Sequence, residues 1–253
     1  MRILSWNVNG LRAVHKKGHF HWLIEESPDI FCLQEIKALA EQLPEEVRSP
    51  KGYFSYFNSP DLKKGYSGVA IYSKTEPLKV EYGMNGKKDV EGRVIVAHYE
   101  DFALLNVYFP NGGGGPVRLA YKLAFYKDFL KFVQKLRKEK PVVFCGDVNT
   151  AHQAVDLARP KENEENTGFL PIERAWIDDV IKAGYVDTFR KHYPDAIGAY
   201  TYWDMKTFAR DRNVGWRIDY FFVSAEFLPQ VKNIEILGSI FGSDHCPIVL
   251  TLK

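Results

Sequence analysis

Asp147 and Asn149 close the run Val142-Val143-Phe144-Cys145-Gly146-Asp147-Val148-Asn149. An apolar stretch of strand type meets a glycine, then offers a carboxylate and an amide two positions apart. In extended backbone, residues i and i+2 share a face. An acid and a neutral hydrogen-bonding group would therefore point together from the end of a buried strand. A polar turn would use the same residues, so this run alone does not decide. The pattern recurs in Ile3-Leu4-Ser5-Trp6-Asn7-Val8-Asn9-Gly10 and in Ile30-Phe31-Cys32-Leu33-Gln34-Glu35. Apolar strands that each deliver Asn, Glu or Asp at one end suggest a shared polar pocket.

Three further stretches carry reactive types. Asp244-His245 stands just before an apolar run, and a His beside an acid can move protons near neutral pH. An isolated Asp-His pair is more often a turn with no role, but this one lies between small residues and a buried strand. Asp219, in Trp216-Arg217-Ile218-Asp219-Tyr220-Phe221-Phe222-Val223, is costly to bury unless partnered. It either pairs with Arg217 or orients His245. Glu35, Asp244 and Asp147, with the amides Asn7, Asn9 and Asn149, form an all-oxygen set, which suits Mg²⁺ or Mn²⁺ rather than zinc. The loop Tyr108-Phe109-Pro110-Asn111-Gly112-Gly113-Gly114-Gly115-Pro116 lacks the Lys-Ser/Thr of a phosphate-binding P-loop. It reads as flexible, with Tyr108 and Asn111 as its useful side chains. Tyr200, Tyr202, Trp203 and Trp216 are interleaved with Lys206, Arg210 and Arg212, a mixture suited to a nucleotide or sugar but equally to plain core.

The elements that must position these residues are legible in outline. Strand-like segments lie at 2–8, 29–35, 67–73, 93–99, 102–108, 141–147, 217–224 and 246–252. Glu100-Asp101 separates two of them as a hairpin would. The spacing of Leu119, Leu123, Tyr126, Leu130, Val133 and Leu136 predicts a helix over 118–138, with Lys and Arg between the apolar positions. Further helices are expected over 171–183, opened by Pro171 and ended by Gly184, and over 19–26. Helices and strands mix without a strict alternation, which favours mixed sheets with helices outside.

The chain has 253 residues, enough for one large α/β domain spanning 1–253. A net charge of +2 does not imply a wholesale polyanion-binding surface, so nucleic acid must meet a local basic patch. Cys32, Cys145 and Cys246 sit in apolar runs without metal or redox spacing and read as buried thiols. No signal peptide or membrane-spanning run is visible, and a reducing cytoplasm is the expected location.

Taken together, the motifs resemble the exonuclease III-type abasic-site (AP) endonucleases of the endonuclease/exonuclease/phosphatase superfamily. The matching blocks, in family order, are Trp6-Asn7-Val8-Asn9-Gly10-Leu11-Arg12, Leu33-Gln34-Glu35, Gly65-Tyr66-Ser67-Gly68, Tyr108-Phe109-Pro110-Asn111, Gly146-Asp147-Val148-Asn149-Thr150-Ala151-His152, Gly168-Phe169-Leu170-Pro171, Asn213-Val214-Gly215-Trp216-Arg217-Ile218-Asp219-Tyr220 and Gly242-Ser243-Asp244-His245-Cys246-Pro247. The resemblance implies a four-layer α/β sandwich of the DNase I type, with two facing mixed β-sheets flanked by helices. It implies Mg²⁺-dependent hydrolysis of the phosphodiester 5′ to an abasic site in double-stranded DNA, leaving a 3′-hydroxyl. Exonuclease and 3′-end-cleaning activities accompany it in the family, and the expected state is a monomer.

Residue roles follow from the same resemblance. Glu35 is the principal metal ligand, with Asp244, Asn7 and Asn9 close by. Asp147, oriented by Asn7, handles the proton of the attacking water, and Asn149 positions water and phosphate. His245, held by Asp219, binds the scissile phosphate with Tyr108 and Asn111. Which acid acts as base, and how many metals act, stays open. Arg12, Tyr66, His152, Asn163 and Asn166 match backbone-binding positions, and Tyr202, Trp216 and Ile218 match a pocket for the extrahelical sugar. The chain departs from some relatives at Asn9, where they carry Asp. It also has Gly114 and Lys206 where relatives insert bulky or apolar side chains into the duplex. Those altered loops leave room for incision at deoxyuridine as a further activity. A superfamily phosphatase and a DNA-binding module without catalysis are the alternatives.

Overall fold

The structure, a computed structural model, describes residues 1–60, 65–86 and 89–253. Its strands are β1 (Arg2–Asn7), β2 (Ile30–Gln34), β3 (Phe54–Asn58), β4 (Val69–Ser73), β5 (Lys79–Tyr82), β6 (Val94–His98), β7 (Ala103–Tyr108), β8 (Val142–Asp147), β9 (Tyr185–Asp187), β10 (Asp219–Ser224), β11 (Val231–Ile236) and β12 (Ile248–Leu252). The helices are α1 (Leu11–Lys16), α2 (His19–Glu26), α3 (Glu45–Arg48), α4 (Pro116–Arg137), α5 (Pro160–Asn163), α6 (Pro171–Lys182) and α7 (Thr188–His192).

The strands form two six-stranded sheets, ordered β11-β12-β1-β2-β4-β3 and β5-β6-β7-β8-β10-β9. Each sheet has one parallel pair, β1 with β2 and β7 with β8, and is otherwise antiparallel. Side chains alternate along each strand between two cores. Ile3, Cys32, Ile71, Leu104, Val143 and Phe221 fill the space between the sheets. Their neighbours Leu4, Phe31 and Tyr72 pack outward with residues of α1 and α2, while Leu105, Phe144 and Phe222 pack outward with residues of α4 and α6. Burial on both faces explains why these strands read as continuous apolar runs rather than alternating ones. This is the expected four-layer arrangement.

A polar staple crosses the inner core. Gln34 Nε2 donates to Asn106 Oδ1 at 2.8 Å, and Asn106 Nδ2 donates to the carbonyls of Leu33 and Ala70 at 3.0 and 2.8 Å. All the amide donors concerned are buried and satisfied, so the staple fixes how β7 sits over β2 and β4. The three cysteines are free and buried. Among the described residues no helix is long and apolar enough to cross a membrane.

The expected segments match the strands nearest the site to within two residues. β6 and β7 form the hairpin expected around Glu100-Asp101. The stripe on α4 is rotated from expectation. Tyr126, Val133 and Leu136 are buried as expected, but Phe125, Phe129 and Lys122 are buried too, whereas Leu119, Leu123 and Leu130 are only half-buried. Lys122, which stands between the apolar positions in sequence, is wholly enclosed.

Candidate active site

Topology explains why distant polar residues meet. β1 and β2 run parallel, so Asn7 and Gln34 finish side by side and Glu35 follows at the same edge. β7 and β8 run parallel in the facing sheet, and Tyr108 lies opposite Asp147. β10 runs antiparallel to β8 and begins at Asp219, directly across from Asp147. β12 runs antiparallel to β1, so the turn before it brings Asp244 and His245 to that edge. Strand direction alone thus collects eight polar residues at one end of the sandwich.

Glu35, Tyr108, Asp147, Asp244 and His245 line a cleft of about 560 Å³, with Asn9, Lys37, Asn111 and Asn149 also among its walls. Asn7 bridges the sheets: its Nδ2 donates to Asp147 Oδ2 at 2.9 Å and to Glu35 Oε2 at 3.2 Å. Asp147 also accepts the Asn149 backbone N–H at 2.8 Å and Asn149 Nδ2 at 3.1 Å. Asn111 Nδ2 donates to Asn149 Oδ1 at 2.9 Å. His245 Nδ1 lies 2.8 Å from Asp219 Oδ2, and its Nε2 lies 3.9 Å from Asp147 Oδ2. Arg217, the other candidate partner for Asp219, instead binds Asp156 and Asp187.

The local backbone is held in uncommon conformations. Asn9, Glu35 and Asn149 adopt positive φ (44°, 54° and 56°), a region sparsely used by residues other than glycine. Such strain persists only where the surroundings over-determine it, and it gathers at functional sites. Gly146 has no substitute: its φ is 133° and a Cβ there would meet the Val107 carbonyl oxygen at 1.9 Å.

The electrostatics follow from burial and proximity. Burial pushes Asp147 up, His245 pulls it back and Asp219 pushes it up again, leaving its carboxyl at about 7. Burial alone would lower His245, but the Asp219 and Asp147 carboxylates outweigh it and raise the imidazole to about 10. Burial, with Glu35 and Asp147 nearby, holds the Tyr108 phenol well above its ordinary value, so it remains a neutral hydrogen-bonding group. The cleft therefore sets a carboxyl poised near neutrality beside a fixed imidazolium.

Among the described residues, two groups in the cleft could attract a divalent ion. Asp147, Asp219 and His245 offer ligand atoms within 4.8 Å of one another. There, however, Nδ1 of His245 is committed to Asp219, and the imidazolium would repel a cation. The second group lies at the rim. Asn9 Nδ2 donates to Asp244 Oδ1 at 3.0 Å, and Lys37 Nζ stands 3.0 Å from Glu35 Oε1 while also donating to Asn9 Oδ1. A side-chain cation already gathers these oxygens, and their hardness fits Mg²⁺ or Mn²⁺. Asn7 turns its NH₂ toward the carboxylates, with its oxygen taken by the Asn9 N–H at 2.9 Å. Asn149 likewise has its oxygen occupied by Asn111. Both amides orient Asp147 through their NH₂ groups.

Tyr202, Trp216 and Ile218 form the apolar wall of the same cleft, joined by Gly168 and Thr167. Tyr202 packs on His245 with ring centroids 4.9 Å apart. Arg12, Tyr66, His152, Asn163 and Asn166 do not line the cleft. Tyr66 accepts from Arg93 and Arg118, His152 is buried against Asp178, and Asn163 is half-buried at the end of α5 while Asn166 after it is exposed. Lys37, Thr167 and Asp204 line the cleft but escaped the sequence reading. Lys37 lies two residues after Glu35, and that spacing is a signal that could have found it.

The chain matches the Endonuclease/Exonuclease/phosphatase family over residues 4–245. It belongs to that family. It is 46% identical over 254 residues to "DNA repair nuclease APEX1" from Danio rerio, covering 100% of this chain and 82% of the relative. It is 45% identical over 255 residues to "Exodeoxyribonuclease" from Bacillus subtilis (strain 168), covering 100% of both. Among solved structures, the 3′ phosphatase NExo from Neisseria, bound to a product DNA hairpin, superposes with a TM-score of 0.91. That pair shares 28% identity, covering 100% of this chain and 99% of the other. The family's divalent-metal-dependent chemistry agrees with the carboxylates gathered in this cleft.

Proposed function

We propose that this protein is a DNA-repair AP endonuclease with accompanying 3′-to-5′ exonuclease and 3′-end-cleaning activity. It incises the phosphodiester 5′ to an abasic site in double-stranded DNA and leaves a 3′-hydroxyl. The observation that carries the reading is the meeting of Glu35, Asp147 and the His245–Asp219 pair in one cleft. Full-length similarity to a DNA repair nuclease and an exodeoxyribonuclease supports it.

Glu35 and Asp244 would hold Mg²⁺, or Mn²⁺ in its place, with Asn9 beside them. The bound ion would neutralise the phosphate and stabilise charge on its oxygens. Asp147, oriented by Asn7 and Asn149, takes the proton of the attacking water, for which a carboxyl near 7 is suited. His245, kept protonated by Asp219, faces the phosphoryl oxygen on which negative charge grows. Tyr108 and Asn111 border the same phosphate. Tyr202, Trp216 and Ile218 wall the space for an extrahelical nucleotide. A baseless one costs least to extrude and fits where a base would crowd the wall. Arg12, Tyr66, His152, Asn163 and Asn166, outside the cleft, contact the flanking backbone. Residues 1–253 act as one domain, a reading that the pairing of β1 with β12 in one sheet supports, and as a monomer.

An end-labelled duplex with a single abasic site tests this, run with magnesium or with EDTA and sized to the nucleotide. Wild type should yield one product ending 5′ to the lesion only with magnesium. Glu35→Ala and His245→Ala should each lose at least ~10³-fold in rate. Equal turnover of undamaged duplex or of inositol phosphates would refute the substrate assignment. Cutting of a uracil-bearing duplex would add deoxyuridine to the substrates.

A further inference from the structure

A buried ion pair lies beneath the cleft and outside the catalytic set. Lys122 of α4 and Glu173 of α6 are both 0% exposed, with Lys122 Nζ 2.6 Å from Glu173 Oε1. Burying two opposite charges gains little stability by itself, and well-packed apolar side chains often do as well. The partners of this pair point to another role.

Lys122 Nζ also donates to the Asn149 carbonyl at 2.7 Å and to Thr150 Oγ1 at 2.8 Å. It thus grips the peptide that follows Asn149, the residue held at positive φ. Glu173 accepts from the Gly168 N–H at 2.6 Å, the Leu170 N–H at 3.1 Å and Thr167 Oγ1 at 2.8 Å. Gly168 backs the apolar wall: a Cβ there would stand 3.3 Å from the Trp216 ring. Gly112 packs close to the same carboxylate: a Cβ there would meet Thr167 Oγ1 at 2.2 Å and Glu173 Oε1 at 3.3 Å. Gly112 follows Asn111, which binds Asn149. Two separate cleft segments, 149–150 and 167–168, are therefore held by one ion pair, with Gly112 packed beside it.

We propose that Lys122 and Glu173 are positioning residues, which set the Asn149 backbone and the Thr167–Gly168 wall against Asp147 and the substrate. This rests on the site assignment above. The pair touches no substrate and acts through Asn149 and Gly168. Its contribution is to the rate of the bound complex rather than to DNA affinity, because the Asn149 amide bonds to Asp147 depend on that backbone geometry.

The test is the charge-neutral double variant Lys122→Met/Glu173→Gln, which keeps length and shape without stranding a buried charge. It is assayed on the abasic duplex beside both single variants, His245→Ala, and Val133→Ala as a control that loosens α4 away from the site. The double variant should lose ~10- to 100-fold in kcat with KM within ~3-fold. Val133→Ala should keep kcat within ~2-fold despite a lower melting temperature. If the folded double variant turns over within ~2-fold of wild type, the pair is structural only and the proposal fails. It fails equally if Val133→Ala loses as much kcat. Should the double variant not fold, Glu173→Gln alone decides by the same kcat and KM criteria. Near-normal cleavage by His245→Ala would instead overturn the site assignment, a separate outcome.

Discussion

Asp219→Asn isolates one charge while keeping an acceptor for the His245 Nδ1–H. The rise of His245 from 6.5 to about 10 corresponds to ~5 kcal/mol favouring the imidazolium, against the opposing effect of burial. Asp219 makes the 2.8 Å contact, whereas Asp147 stands 3.9 Å away, so most of that stabilisation depends on Asp219. Without its charge, burial dominates and the imidazole should titrate near or below neutrality. At pH 7.5 the variant would present a neutral ring to the phosphate, with a kcat loss of ~10²–10³-fold. The loss should shrink toward pH 6 as the ring regains its proton, while wild type shows no such limb below pH 9. Because the folded pKa of His245 exceeds its unfolded value, its stabilisation is complete below about 6.5 and lost as pH rises through about 10. Asp219→Asn should therefore lower the melting temperature more at pH 6 than at pH 10. Rate profiles from pH 5.5 to 9.5, with melting curves at both extremes, measure this. A rate within 5-fold of wild type, or a loss independent of pH, would refute the reasoning.

Asp147→Asn should abolish incision yet stabilise the fold at pH 8 in EDTA by ~1–3 kcal/mol, because ionising a carboxyl raised to about 7 costs folding energy. Below pH 4 the two proteins should melt together. Glu91 behaves in the opposite sense: burial opposes its ionisation, but Arg118 and Arg93 outweigh this and hold its carboxyl at about 2. Its stabilisation is present above its unfolded value of 4.5 and lost as pH falls through about 2. After discounting for solvent screening, Glu91→Gln should cost ~1–2 kcal/mol at pH 6 and much less at pH 2, read from urea unfolding. Gly146→Ala should cost at least ~3 kcal/mol, or prevent folding, because the added Cβ would strike the Val107 carbonyl oxygen in the adjacent strand.

The central strands were legible because both faces are buried, so β1, β2, β7 and β8 read as apolar runs ending in polar residues. β3 and β5 lie at sheet edges, are half-exposed and lack such runs. β11 carries an irregular register after Val231, which breaks its alternation, and β9 has only three residues. The short helices α1, α3, α5 and α7 present too few turns for a period to show. At the site, Glu35, Asp147, Asp219 and His245 stood out because acids and His are expensive within apolar strands. Lys122 carried the opposite camouflage. A lysine between leucines on a helix reads as a solvated face, and only the third dimension shows it buried against Glu173.

The central claim is that the rim oxygens hold the ion while Asp147, Asp219 and His245 handle protons and phosphate. Anomalous scattering from a Mn²⁺-soaked crystal with product DNA tests it most directly. A peak ~2.2 Å from a Glu35 oxygen, with His245 Nε2 on a phosphate oxygen, is the predicted result. A single ion seated among Asp147, Asp219 and His245, with Glu35 unligated, would contradict it.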